Sequence, residues 1–348
     1  MADIAKRFPE NPILKPEEIR PSIEGLKVEC ILNPGVFRFN GRTWLLLRVA
    51  ERPEQKPGKL SLPITEAGGT MRILEFDNDD PKLDRSDPRV IRYDGQTYVT
   101  TLSHLRLVSG EDGVHFSEEP SYPVLHGRGE LETYGVEDCR VTQIGDTYHL
   151  TYTAVSCHGA GVGLRTTTDW REVVSRGMIL SPHNKDCAIF TEKIGGKYFA
   201  LHRPSSVEIG GNYIWIAESP DLEHWGGHRC IVMTRPGQWD SARVGAGAAP
   251  IRTAEGWLEI YHGADERHRY CLGALLLDLE EPWKVLARSR EPVMEPIAGY
   301  EQTGFFGNVV FTNGHLVNGD TVTIYYGASD SVICGARFSI AELLLTLQ

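Results

Sequence analysis

Glu137, Asp138 and Arg140 put two carboxylates and a guanidinium within a four-residue stretch, just before a short alternating run, Val141-Thr142-Gln143-Ile144. Gly145-Asp146 make a turn and Thr147–Ala154 has the composition of a second strand, so the charged residues stand where a β-hairpin begins. β folds tend to mount chemistry at such ends, where a carboxyl can pass a proton and a guanidinium can hold an anion. Asp138 and Arg140 can equally be a local ion pair that closes a turn, and for an isolated copy that is the stronger reading. Recurrence of the pattern along the chain shifts the balance.

The recurring unit is an apolar strand, a glycine-containing turn and an aromatic-led strand that ends in a polar residue. It reads at Gly35–Gly41 with Trp44–Arg48, at Asp87–Gly95 with Tyr98–Leu102, and at the opening stretch with Tyr148–Tyr152. It returns at Cys187–Gly196 with Tyr198–Arg203, at Ala249–Gly256 with Trp257–Gly263, and at Val309–Gly319 with Val322–Gly327. The spacing of the leading aromatics is roughly 50 residues, the period of a propeller built from one four-stranded sheet per blade. Six copies imply five or six blades, with the chain ends sharing a blade to close the ring. Residues 1–31, rich in proline and charge, read as an extended arm. Glu51–Leu83 reads as a long connection or inserted hairpin. Helical periodicity is best at Ile340–Leu347, and Leu272–Leu279 is too short and apolar to decide.

The 348 residues include 41% hydrophobic and 24% charged side chains and carry a net charge of −11. That is an ordinary globular composition for one large or two average domains, and its acidity argues against nucleic acid or an anionic membrane as the main partner. Met1–Arg7 lacks the apolar core of a signal peptide, and no apolar run reaches the length of a membrane span. The seven cysteines are scattered, without Cys-x-x-Cys or zinc-like spacing, which fits reduced thiols in a cytoplasmic protein. No phosphate loop, nucleophile elbow, metalloprotease motif or dinucleotide fingerprint occurs. Nothing calls for a metal or an organic cofactor.

Equivalent positions of successive blades line a propeller's channel. Here they hold the acids Asp87, Asp138, Asp186 and Asp330, the bases Arg48, Arg89, Arg140, Lys185, Arg203, Arg243 and His262, and Asn33, Ser205, Tyr261 and Tyr326. Clustered cations in an acidic protein mark an anion site, because their repulsion must be offset by something bound. Trp170, Trp215, Trp225 and Trp239 offer stacking faces for a sugar, although core packing is the commoner use. Cleaving a glycosidic bond normally takes two carboxylates. When phosphate is the nucleophile the second is dispensable, and a basic cluster holding the polyanion replaces it. One acid with a basic cluster is the pattern of an inverting phosphorylase.

Gly135-Val136-Glu137-Asp138-Cys139-Arg140 followed by Gly-Asp-Thr-Tyr is similar to the Glu-Asp-Pro-Arg element of glycoside hydrolase family 130. So are Glu192–Tyr198 with His202-Arg203-Pro204, Gly245-Ala246-Gly247 with Tyr261-His262-Gly263, and Tyr325–Asp330. The resemblance runs from about Asn33 to Leu345. It implies an all-β, five-bladed β-propeller over residues 32–348, with an N-terminal arm at 1–31 and an inserted hairpin region or extended blade at 51–102. It implies an inverting β-mannoside phosphorylase that releases α-D-mannose 1-phosphate, with β-1,2-mannobiose or oligomannan preferred and inorganic phosphate as co-substrate. Asp138 matches the family's proton donor, which acts through the mannosyl 3-hydroxyl. Lys185, Arg203, Tyr261 and His262 match phosphate-contacting positions. Asn33, Arg48 and Asp330 match mannosyl-binding positions, and Arg140 and Asp186 are grouped with them as substrate-binding. Lys185 replaces the arginine of many members, keeping the charge but losing the fork, and Cys139 replaces the usual proline. Asp87 has no counterpart and is as well explained by a turn. Members often associate, so a homo-oligomer is expected. The alternatives are an inverting β-1,2-mannosidase drawing a base from Glu218, Glu223, Asp240 or Asp265, a β-1,4-mannoside phosphorylase, and a non-catalytic carbohydrate-binding propeller.

Overall fold

The computed structural model describes residues 3–66, 70–87, 89–205 and 209–348. Nearly every element is a strand, and five antiparallel sheets account for most of them. The first sheet runs Leu26–Phe39, Arg42–Pro53, Leu102–Gly110, Ser117–Glu118. The second runs Val136–Ile144, Thr147–Ser156, Gly159–Thr167, Val174–Leu180, and the third Asn184–Ile189, Tyr198–Pro204, Ile214–Ser219, Gly226–Val232. In the fourth, Arg243–Gly245 and Ile251–Arg252 both pair with Trp257–Ala264, which is followed by Tyr270–Leu277 and Val285–Arg288. The fifth joins Val310–Asn318, Thr321–Ala328 and Val332–Ser339 to Lys6–Arg7, so a segment from each end of the chain shares one sheet, with Lys6 opposite Arg337.

Several of these assignments follow from side-chain alternation. Leu26, Val28 and Cys30 are buried while Lys27 is exposed, which carries the first strand back into the stretch read as arm. Tyr270–Leu277 is apolar on both faces because both are covered, so the ambiguous run at Leu272 is strand. Ile340–Leu345 is a helix, capped by Ser339 Oγ accepting the Glu342 N–H at 3.1 Å. Among the described residues no helix is long and apolar enough to cross a membrane. Trp170 is fully buried and stacks on Phe37 at 3.9 Å, so it packs the core.

Arg42–Pro53 pairs directly with Leu102–Gly110. The chain between them leaves the sheet and forms a hairpin, Lys59–Thr65 with Met71–Asp77, and a three-stranded sheet, Leu83–Asp87, Val90–Tyr93 and Gln96–Val99. The repeat copy at Asp87–Leu102 therefore belongs largely to this small sheet and not to one of the five large ones. Its Pro88 lies outside the described residues.

One backbone device recurs. The first strands of sheets one, two and three slip register between Leu32 and Gly35, Glu137 and Arg140, and Lys185 and Ala188. Inside the slips sit Asn33, Asp138 and Asp186, with φ of 35°, 47° and 54°. Left-handed backbone costs least for glycine and then for asparagine and aspartate, and a bulge re-aims the side chain it carries.

The N-terminal segment is also stapled by Phe8, which is buried edge-on to Tyr325 at a centroid distance of 6.2 Å. Phe8→Ala is expected to cost about 3–5 kcal/mol in urea unfolding, the usual range for a buried aromatic. A loss below about 1 kcal/mol would mean that this segment is not part of the cooperative unit.

Candidate active site

The first strands of all five sheets contribute to one cavity of about 400 Å³. Asn33, Glu137, Asp138, Lys185, Asp186, Arg243 and Phe311 come from those strands, Arg48 and Arg203 from their neighbours, and Asp330 from a turn in the fifth sheet. The bulges are what turn Asn33, Asp138 and Asp186 into it.

One wall is built around Asp138. Its Oδ1 accepts from Asn33 Nδ2 and from Arg48 Nη1, both at 3.1 Å. The other arm of the Arg48 fork, Nη2, donates to Glu137 Oε1 at 2.8 Å, and Nε donates to Ser103 Oγ at 3.0 Å. Enclosure alone would raise the Asp138 pKa, but Arg48, the Asn33 amide, Arg140 and Lys185 together hold it below the usual carboxylate range. Asp330, in the turn between the second and third strands of sheet five, goes the other way. Enclosure pushes it up to about 6, with Arg48 pulling down and Asp138 pushing further up. Asn33 fits only because residue 327 is glycine, where a Cβ would stand 2.3 Å from the Asn33 Oδ1.

The other wall is cationic. Asp186 Oδ1 accepts from Arg140 Nη2 at 3.2 Å. Its Oδ2 lies 3.1 Å from Arg203 Nε, a contact misaligned for a hydrogen bond and therefore an ion pair, and 3.3 Å from His262 Nε2. Burial would raise the Asp186 pKa, yet Arg203, His262 and Arg140 hold it well below normal. Burial keeps His262 down at about 4, so the ring is neutral near pH 7 despite its carboxylate neighbour. A Cβ at Gly245 would lie 2.4 Å from Asp186 Oδ2, so only glycine lets the carboxylate and the imidazole meet there. Lys185 makes no side-chain hydrogen bond among the described residues, and enclosure and Arg203 lower its pKa. Arg243 gives Nη1 to Tyr270 Oη at 3.0 Å, and its buried Nε has no hydrogen-bond partner among the described residues. Donors left over on Lys185, Arg203 and Arg243 around a cavity suit an anion with several oxygens.

Asn33, Arg48, Asp138, Lys185, Asp186, Arg203 and Asp330 are thus brought together as cavity-lining residues. Arg140 is not among them. It is 2% exposed and donates to Gly247 O at 2.6 Å, Ala246 O at 2.8 Å and Asp138 O at 3.1 Å, so it positions the site from behind. His262, fully buried, acts through Asp186 and through Arg203, whose Nη1 is 3.3 Å from its Nε2. Tyr261 needs correction as a phosphate contact. Strand alternation sends it to the opposite face from His262, where its hydroxyl meets Asp240 Oδ2 at 2.8 Å.

The carboxylates considered for a hydrolytic base do not line the cavity. Glu218 meets Lys197, Glu223 pairs with Arg176, Asp240 is locked between Arg235 and Arg288, and Asp265 caps a turn. The four tryptophans are also elsewhere. Glu137 and Arg243, named in the sequence but given no role in the expected site, also line the cavity, as does Phe306, which is not among the expected residues. Arg243 carried the signal of the repeat, whereas Phe306 sits in a connection with no periodicity. Asp87 and Arg89 reach the cavity from the small inserted sheet, forked together at 2.8 Å, with the guanidinium 4.1 Å over the Phe306 ring.

A sugar-sized cavity with an acid on one wall and an anion site on the other, carried on an all-β scaffold, places the protein among enzymes that break glycosidic bonds. The chain belongs to glycoside hydrolase family 130, whose model, described as beta-1,4-mannooligosaccharide phosphorylase, matches residues 88–348. It is 46% identical to a beta-1,2-mannobiose phosphorylase of Listeria innocua over 98% of both chains. It is 41% identical to a 1,2-beta-oligomannan phosphorylase of Thermoanaerobacter over 71% of this chain and 82% of the relative. A solved structure of beta-1,2-mannobiose phosphorylase from Listeria innocua, in complex with beta-1,2-mannobiose, superposes with a TM-score of 0.96 and covers 99% of each chain.

Behind the site, Glu259 is 1% exposed and its Oε1 accepts the Gly247 N–H at 2.7 Å. Burial pushes its carboxyl up to about 8, against the pull of that amide and of Arg140. The folded protein therefore keeps a proton that the unfolded chain releases near pH 4.3. The associated stability is complete below that pH and is lost as pH climbs through about 8. The melting temperature should fall between about pH 5 and 8 and level off above that, and Glu259→Gln should flatten the slope. Parallel curves for the two proteins would contradict the assignment.

Proposed function

We infer that the chain is an inverting phosphorylase of β-mannosides, that its preferred substrates are β-1,2-mannobiose and short β-1,2-oligomannan, and that its five sheets are the blades of a five-bladed propeller. The catalytic unit is one propeller that takes in the strands Lys6–Arg7 and Leu26–Phe39 from the N-terminal stretch, with the insertion between Pro53 and Leu102. The observation that carries the reaction type is the group of uncommitted cationic donors on Lys185, Arg203 and Arg243 beside an acid-bearing wall. The sequence of the Listeria relative supports the β-1,2 linkage.

Phosphate seated on those donors presents an oxygen to the anomeric carbon of the mannosyl unit. The new C1–O bond forms as the bond to the departing sugar breaks, and configuration changes from β to α. The departing oxygen takes a proton that originates on Asp138 and passes through the mannosyl 3-hydroxyl. Asp138 is ionised in the unliganded site, the wrong state for a donor. Binding corrects this: the sugar displaces water, and the phosphate charge offsets Lys185 and Arg140, two of the cations that hold the carboxyl down. Arg48 and Asn33 keep the acid oriented. Asp330 and Glu137 offer acceptors to mannosyl hydroxyls.

Incubation with β-1,2-mannobiose should yield α-mannose 1-phosphate only when phosphate is present. Free mannose released at equal rates with and without phosphate would make the enzyme a hydrolase. Asp138→Asn should fold normally and lose at least about a hundredfold in kcat, the least a positioned general acid supplies. Arg203→Ala should raise the KM for phosphate about tenfold or more while changing that for mannobiose far less. Equal effects on both would remove Arg203 from the phosphate site.

A further inference from the structure

Arg140 makes hydrogen bonds that reach the acid-bearing strand, the Asp186 hub and the fourth sheet together. From the second sheet it donates to the backbone of Asp138, to the Asp186 carboxylate in the third sheet, and to the carbonyls of Ala246 and Gly247 in the fourth. Its guanidinium therefore sets the separation of the two walls, provided that the two carbonyls are themselves fixed. They belong to the connection between Arg243–Gly245 and Ile251–Arg252, which has no strand pairing of its own. Two contacts hold it. Gly247 lies so close to the next strand that a Cβ would stand 2.2 Å from Ile260 O. Its N–H is taken by Glu259, from that same strand.

We propose that Glu259 is a positioning residue for the anion half of the site: through Gly247 and Arg140 it holds the Asp186–Arg203–His262 group where a phosphate can be bound. Glu259 lines no part of the cavity and touches no reacting atom. A carboxyl this buried is costly, and the hydrogen bond from Gly247, whose carbonyl in turn takes Arg140, is what the structure shows in return. The effect should be asymmetric. Asp138 is held independently by Asn33 and by Arg48, which hangs on Ser103 and Glu137, so the sugar wall survives loss of the prop. Among the described residues the Asp186 side chain has no such second anchor outside Arg140, Arg203 and His262.

The inference rests on the phosphorylase reading, and the test separates the two. Glu259→Leu keeps the volume and removes the acceptor. Glu259→Gln keeps an oxygen for the Gly247 N–H. Steady-state kinetics with β-1,2-mannobiose and phosphate should show the KM for phosphate raised at least tenfold in Glu259→Leu. The KM for mannobiose should stay within threefold, and Glu259→Gln should stay within threefold of wild type on both. Should Glu259→Leu fail to fold, Glu259→Asp withdraws the acceptor by one methylene and is expected to show the same split in smaller measure. A folded Leu or Asp variant with an unchanged phosphate KM, or with both KM values raised equally, overturns the proposal. A glutamine variant as impaired as leucine overturns it too. Wild-type enzyme that shows no phosphate-dependent turnover refutes the phosphorylase reading instead. In that case the rise in melting temperature with inorganic phosphate, present in wild type and Glu259→Gln but lost in Glu259→Leu, decides the positioning role alone.

Discussion

The burial of Asp186 organises this protein. A carboxylate 2% exposed is tolerable only with cations and donors around it, because isolated burial of a charge is prohibitive. The groups that meet it come from three sheets: Arg140 from the second, Arg203 from the third and His262 from the fourth. A single side chain thus ties together elements far apart in sequence. The compensation is also more than complete. Two guanidiniums answer one carboxylate, the imidazole stays neutral, and Lys185 stands beside them with its ammonium unpaired among the described residues. The excess of positive charge at that wall makes an anion site, so the hub that stabilises the architecture also prepares the place for a second reactant.

Across the cavity the balance is reversed. Glu137, Asp138 and Asp330 share Arg48, leaving acceptors for sugar hydroxyls and a carboxyl whose protonation answers to its surroundings. A neutral, hydroxyl-rich substrate suits the one wall and an oxyanion suits the other, with the reacting carbon between them. Arg140 keeps the two regions in register without entering either. Hydrolysis would ask for a carboxylate base opposite the acid. The four acids considered for that role are instead spent on ion pairs and turns.

Much of this was legible in the residues, and what was not had physical reasons. The hairpin repeat marks all five sheets, four of them with an aromatic at the head of the second strand and the fifth with Val322 there. The sixth copy misleads because the small inserted sheet satisfies the same local rules of alternation and turn. Asp138, Asp186, Lys185 and Arg203 fall at repeat-equivalent positions and converge as expected. Tyr261 and Arg140 misled for one shared reason: spacing fixes a residue's place along a strand but not what its side chain reaches. Tyr261 is one residue from His262 and therefore on the other face. Arg140 passes behind the cavity to carbonyls more than a hundred residues away in sequence. Glu259 carries no signal at all, being one acid in an apolar strand whose partner is a backbone amide.

Asn33, Asp138 and Asp186 occupy the same bulge in three successive sheets, each followed by a residue that need not pair in the ladder. Proline can follow Asn33, and cysteine follows both aspartates, because the register slip already removes that N–H from the ladder. This explains why Cys139 in place of proline leaves the Asp138 turn intact. The backbone device is thus common to the three, and the roles diverge through their surroundings. Asn33 must be an amide, since a third carboxylate beside Asp138 would repel it, whereas an amide donates to it. Asp186 meets two guanidiniums and is committed to the ionised state. Asp138 meets one guanidinium fork shared with Glu137, inside a cavity that substrate can dry, so of the three it is the one whose proton can be exchanged during a reaction. A repeated strand defect supplies the directions, and the unequal distribution of arginines around it sets how firmly each carboxyl is held in its ionised form.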